Sequence, residues 1–266
     1  MLRTATSVGD QLRVWRRRRR MSQLDLACEA DISTRHLSFV ETGRSTPSRE
    51  MILHLAEQLD IPRRERNVLL VAAGYAPIFP ERALDDPALA AARGAIEIVL
   101  AGHKPYPAFA LDRHWRIVAT NGALPQLYEG VDPVLLAPPV NVMRLSLHPG
   151  GLAPRIVNLA EWREHLLTRL RQQIDLTADA VLVELMSELR AYPSPTPTRP
   201  PTHAAPAPVI TLRVRVGAET LSFFTTTMIF GTPVEITLSE LALESFFPAD
   251  PETAAAVARL SGRARG

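Results

Sequence analysis

The chain has 266 residues, 46% of them hydrophobic and 22% charged, which is enough for one large or two ordinary domains. No run approaches the ~18 consecutive apolar residues of a membrane span, and the single cysteine, Cys28, excludes a disulfide framework and a cysteine-based metal cage. The net charge of +2 hides an asymmetry: residues 1–80 carry 13 arginines against 9 acids, whereas residues 81–266 carry 17 basic groups against 19 acidic ones. A polyanion therefore suits the front of the chain and not the rest. The basic run Arg16 to Arg20 leads into amphipathic sequence and not into the apolar core of a secretory signal, so a cytoplasmic protein is expected.

Five short helices are predicted over the first 74 residues. Val8 to Arg19 places Val8, Leu12 and Trp15 on one face. Ser22 has the character of an N-cap, with Asp25 three residues on in a capping-box arrangement, ahead of a helix from Gln23 to Ala30. Asp31-Ile32 makes a tight connection. Ser33 caps a third helix, Thr34 to Thr42, which turns Leu37 and Val40 inward and stops at Gly43. Pro47-Ser48 begin a fourth, with Met51, Ile52, Leu55 and Leu59 inward, and Pro62 suits the first turn of a fifth that ends near Gly74.

Residues 75–88 hold three prolines and little periodicity, so the boundary falls there: a first domain over 1–76, a linker over 77–90 and a second domain over 91–266. In the second domain a helix is expected from Leu89 to Ala101, then strands Ala108 to Leu111 and Trp115 to Thr120. Asn121 suits the cap of a short helix reaching Tyr128. Residues 129–160 give no clear period. A helix pair follows around Glu161 to Gln173 and Ala178 to Ala191. Seven prolines in the sixteen positions 193–208 mark an extended insertion. Ile210 to Val216 alternates strictly, and with Leu221 to Phe230 and Val234 to Leu238 it predicts a three-stranded antiparallel meander. The fold class is thus an all-α helix-turn-helix domain of five helices followed by an α+β domain with an antiparallel sheet.

A helix-turn-helix needs a small residue where its helices cross, a short turn, a capped second helix and a firm stop. Gln23 and Ala27, with I-S-x-x-x-L-S-x-x-E-x-G-R-x-x-P from Ile32 to Pro47, supply these in order and resemble the Xre class of helix-turn-helix regulators. The resemblance implies that Gln23 contacts a phosphate or base, and that Thr34, Arg35 and Ser38 open onto base edges with His36 and Phe39 beside them, the cap Ser33 belonging to the same DNA-binding set. It also implies that Arg44 and Ser48 hold the backbone. Arginine reaches guanine O6 and N7 bidentately, and Phe39 suits a thymine methyl. His36 is equally readable as a solvated side chain. Glu41 reads as structural, pairing with an arginine or capping locally. Arg16 to Arg20, Arg17 and Arg18 foremost, read as phosphate contacts, with an exposed helix end as the alternative.

The run P-A-F-A-L-D-R-H-W-R-I-V-A-T-N-G-A-L-P-Q-L-Y from Pro107 to Tyr128, and the stretch from Asn141 to Trp162, resemble the ligand-binding domain of MmyB-like regulators. That resemblance implies a PAS-like domain that accepts a fatty acid or similar acyl ligand and needs no other cofactor. Phe109, Trp115, Leu127, Trp162, Leu166, Phe223, Met228 and Phe230 are candidates to line its pocket. Arg144, or else Arg116 or His148, is a candidate anchor for an acyl carboxylate. The histidines of the second domain fall in no metal-binding spacing, and no nucleophile elbow or phosphate loop is present, so no enzyme is expected. The expected partners are a palindromic DNA operator, a small apolar ligand and a second copy of the chain, and no membrane. The alternative is a second domain serving only dimerisation or protein binding.

Overall fold

The computed structural model describes residues 7–193, 209–231, 233 and 235–263. The chain divides into two compact units, one of residues 1–81 with 173–178 and 234–236, the other of residues 82–172, 179–233 and 237–266.

Five helices build the first unit: α1 (Val8–Arg18), α2 (Gln23–Glu29), α3 (Thr34–Glu41), α4 (Arg49–Gln58) and α5 (Arg63–Ala72). Their ends follow side-chain chemistry. The Ser22–Asp25 capping box is formed in both directions, Ser33 Oγ accepts from the His36 amide, and Ser48 Oγ accepts from Met51. Pro62 is the N-cap of α5, one place outside its first turn. α3 stops as expected at Gly43, whose φ is +72°. There the Arg44 amide reaches back to Phe39 O and the Gly43 amide to Val40 O, which satisfies the orphan carbonyls of the last turn. The α2–α3 turn is short because Asp31 adopts a left-handed conformation, φ +50°. Leu12, Leu26, Leu37, Val40, Ile52, Leu55, Leu69 and Leu70 are fully buried at the centre, each contributing about 1.5–3 kcal/mol of apolar burial.

The second unit is α+β. After α6 (Ala90–Gly102) come β1 (Ala108–Leu111), β2 (Ile117–Thr120), α7 (Pro133–Leu136), α8 (Val142–Leu147), α9 (Leu159–Thr177) and α10 (Ala180–Ala191). Then follow β3 (Leu212–Val216), β4 (Glu219–Ile229), α11 (Ile236–Ser239), β5 (Ala242–Pro248) and α12 (Pro251–Arg263). The last turn of α9 belongs to the first unit. The five strands form one antiparallel sheet in the order β2-β1-β5-β4-β3. The faces differ by alternation: Ala108, Ala110 and Leu243 pack with Ile96 and Leu100 of α6, while Phe109, Glu244 and Phe246 turn to the other side.

Several expectations need correction. The third meander strand is not 234–238: Ile236–Ser239 is the short helix α11, and the strand is β5. β5 is central and covered on both faces, so it lacks the polar–apolar alternation that marks a half-exposed strand. Asn121 caps no helix. It is buried, its Oδ1 accepts from the Ala108 and Ala123 amides, and its Nδ2 donates to Leu100 O and Tyr106 O. Only a 3-10 turn, Pro125–Tyr128, follows it. The proline-rich insertion, apart from Pro193, lies outside the described residues.

Candidate functional site

In the first unit, α3 carries the candidate base-reading residues. Its core side, Leu37 and Val40, is buried; Arg35 is exposed, and Thr34, His36, Ser38 and Phe39 are half-buried. The guanidiniums of Arg35 and Arg44 flank the Phe39 ring at 5.4 and 5.9 Å, so one aromatic platform holds both cations beside the helix. The Ser33 and Ser48 hydroxyls accept cap hydrogen bonds from the His36 and Met51 amides. The Glu50 backbone amide and the Ser48 hydroxyl, which also bonds the Glu50 carboxylate, hold that carboxyl below its usual range.

Beneath that surface lies a group of charges that the sequence did not resolve. Glu41 and Arg16 are 1% and 7% exposed. Arg16 grips the carboxylate through two bonds, Nε to Oε1 at 2.6 Å and Nη2 to Oε2 at 2.8 Å. Gln23 donates to the same Oε2 at 2.8 Å, and Arg13 donates to the Glu41 carbonyl. Burial disfavours the Glu41 anion, but the hydrogen bonds from Arg16 and Gln23, with the charges of Arg16 and Arg13, outweigh it and hold the carboxyl below its usual range. Glu41 is thus structural, as its sequence reading has it, and Gln23 is partly committed to it. Of the basic run, Arg16 is neither an exposed helix end nor a phosphate contact, because it is buried against Glu41. Arg18 Nη1 donates to the Ile174 carbonyl at 2.6 Å within the same unit, so that arginine is also partly committed, whereas Arg17 is exposed.

In the second unit, the sheet, α8 and α9 enclose a cavity of about 720 Å³, counting its open mouth. Its walls are Phe109, Trp115, Leu127, Trp162, Leu166 and Phe223, with Ile117, Val142, Met143, Leu145 and Phe246 among the remainder. The lining suits a small apolar ligand. The polar exceptions are Tyr128, Ser146 and Glu244. Ser146 Oγ accepts from the Trp162 indole at 2.9 Å, and burial raises the Tyr128 phenol above its usual range, keeping it neutral. Trp115 holds φ +64°, a conformation that costs a bulky residue energy, and such strain tends to collect at working sites. Its turn is enforced by Asp112 Oδ1, which accepts from the His114 and Arg116 amides.

The structure thus brings six of the expected pocket residues together and leaves three elsewhere. Met228 and Phe230 face a separate shallow groove with Ile96, Val99 and Leu243, because the far end of β4 turns them to the α6 side of the sheet. Arg144 is bound bidentately by Glu188, with Nη2 to Oε2 at 2.7 Å, and does not line the cavity. Glu244, which does, was missed together with its strand. Its signal, an acid inside an apolar stretch L-A-L-E-S-F-F, is legible only once that stretch is assigned to a central strand.

Among the described residues no helix is long and apolar enough to cross a membrane. Residues 7–69 match a helix-turn-helix domain family, and residues 92–260 match the MmyB-like transcription regulator ligand binding domain. No curated protein matches the chain. Both families are those of a regulator and neither is an enzyme family. With a helix-turn-helix in front and a match over more than half its length behind, the chain belongs to the MmyB-like transcription regulator ligand binding domain family.

Proposed function

We propose that the protein is an Xre-type regulator that binds a palindromic operator as a homodimer and changes its operator affinity when a small apolar ligand with a fatty-acid-like chain enters the second unit. The observation that carries this reading is the apolar cavity in a chain whose first unit holds a capped recognition helix with an exposed arginine. Arg35 on α3 reads bases, with Thr34 and Ser38 beside it, while Arg17 and Arg44 contact phosphates. Two copies set their α3 helices in successive major grooves. The exposed apolar side chains of Met228 and Ile229, beside Ile96 and Val99, support contact with a second copy.

The test is selection of bound sequences from a random DNA pool, followed by affinity measurements on the selected site. Arg35→Ala is expected to cost about 1–3 kcal/mol on that site and to relax preference at one position. Arg17→Ala is expected to weaken all sequences alike and to lower the salt slope by about one. Sedimentation of the complex should give two chains per site. No enriched sequence, or an unchanged preference in Arg35→Ala, contradicts the proposal.

A further inference from the structure

Among the described residues of the cavity wall three are polar, Tyr128, Ser146 and Glu244, and of these Glu244, from the centre of the sheet, is the carboxylate. Glu244 lies in the middle of β5, paired with Phe109 of β1 on one side and Thr227 of β4 on the other. Its side chain is 7% exposed and forms part of the cavity wall. Arg169 of α9 is its counter-ion, and Thr227 Oγ1 donates to it at 3.2 Å. Both partners meet Oε1; among the described residues no donor reaches Oε2. The Arg169 guanidinium lies over the Trp115 ring at 4.8 Å and is not part of the cavity wall.

The charge balance of this arrangement restricts what can sit against it. Glu244 and Arg169 already neutralise one another, so an added anion meets the carboxylate and an added cation the nearby guanidinium. Either would bury an uncompensated charge. Among the described residues no cation lines the cavity to receive a ligand carboxylate. His165, whose ring is 5.3 Å from that of Trp162, supplies none at neutral pH, because burial and Arg169 hold it below its usual range. An uncharged donor adds no charge and satisfies the acceptor at Oε2, as a carboxylate so placed requires.

Resting on the reading of this cavity as the ligand site, we propose that Glu244 selects an apolar molecule whose polar end is an uncharged hydrogen-bond donor, a hydroxyl or an amide N–H, over a free fatty acid of the same chain. The long chain runs along Phe109, Trp162, Leu166 and Phe223, and the donor meets Glu244 Oε2. A neutral head without a donor fits the charge balance but leaves that acceptor unmet, so it binds with intermediate strength.

Chain-matched probes test this on the full-length protein: 1-decanol, decanamide, methyl decanoate and decanoate, each competing with an apolar fluorescent dye at mildly alkaline pH. The alcohol and amide are expected to bind at least tenfold more tightly than decanoate, with the ester between. In Glu244→Gln, which keeps the shape and removes the charge, the preference over decanoate should fall to about threefold or less. Thermal melting checks that the variant folds, and Thr227→Val, which removes a partner of Glu244 and leaves its charge, should keep the wild-type order of probes. Decanoate binding the wild type as tightly as decanol overturns the head-group assignment while leaving the cavity in place. Failure of every probe to displace the dye overturns both.

Discussion

Glu41 shows how one buried charge can hold a recognition helix in place. Its carboxylate ties the last turn of α3 to Arg16 of α1 and to Gln23 at the start of α2, and its backbone carbonyl accepts from Arg13 of α1. Removing one partner strands the other in a dry interior, so Glu41→Ala is expected to cost about 3–5 kcal/mol. Its pH dependence has a definite sign. The folded-state carboxyl lies below the usual glutamate value of 4.5, so its contribution is complete above that value and is lost as pH falls through the folded value. Urea midpoints of wild type and Glu41→Gln should therefore differ most near neutrality and converge on acidification. A gap that stays constant down to the acid limit contradicts this account. The structural part of Glu41 was legible, since an acid inside a basic stretch invites pairing. Which arginine answers it was not, because Arg13, Arg16 and Arg17 are equal in sequence and only the crossing of α1 over α3 separates them.

That crossing is an element-scale device. Gly9 of α1 lies so close to the end of α3 that a Cβ there would stand 2.2 Å from Val40 O and 3.1 Å from the Glu41 carbonyl carbon. Gly9→Ala gains about 1 kcal/mol of helix propensity but must push two backbones apart, at a cost of about 1–3 kcal/mol. Net destabilisation is expected in denaturant melts, and a stabilised variant would show that the helices are not in contact. Where an element's boundary is fixed by its own residues, it was readable: the Ser22–Asp25 box and the Gly43 stop are local chemistry, and the helices they bound lie within a residue or so of expectation. Elements defined by their neighbours were not. β5 is a strand because β1 and β4 flank it, and with it went Glu244. The same cause misplaced Met228 and Phe230: their side of the sheet depends on the register of β4 against β5, Met228 opposite Leu243.

At the scale of the whole molecule, the first unit offers a recognition helix and the second an apolar cavity, each complete within itself. Six of the cavity's aromatic and aliphatic walls could be named from sequence because large apolar residues at helical and strand periods point inward. The cavity's charge could not, since Arg169 and Glu244 are 75 residues apart. A ligand alters DNA binding only if it binds two states of the protein unequally, and coupling of this kind is commonly worth about 5–150-fold in affinity. The effect is reciprocal, so operator DNA must shift ligand affinity by the same factor.

The central claim is therefore tested most directly by the affinity of the full-length protein for its selected operator, measured by fluorescence anisotropy at fixed salt without ligand and with the cavity saturated by the tightest-binding apolar probe. A change of about fivefold or more in Kd is the predicted result. Identical affinities with the cavity empty and full would contradict the account.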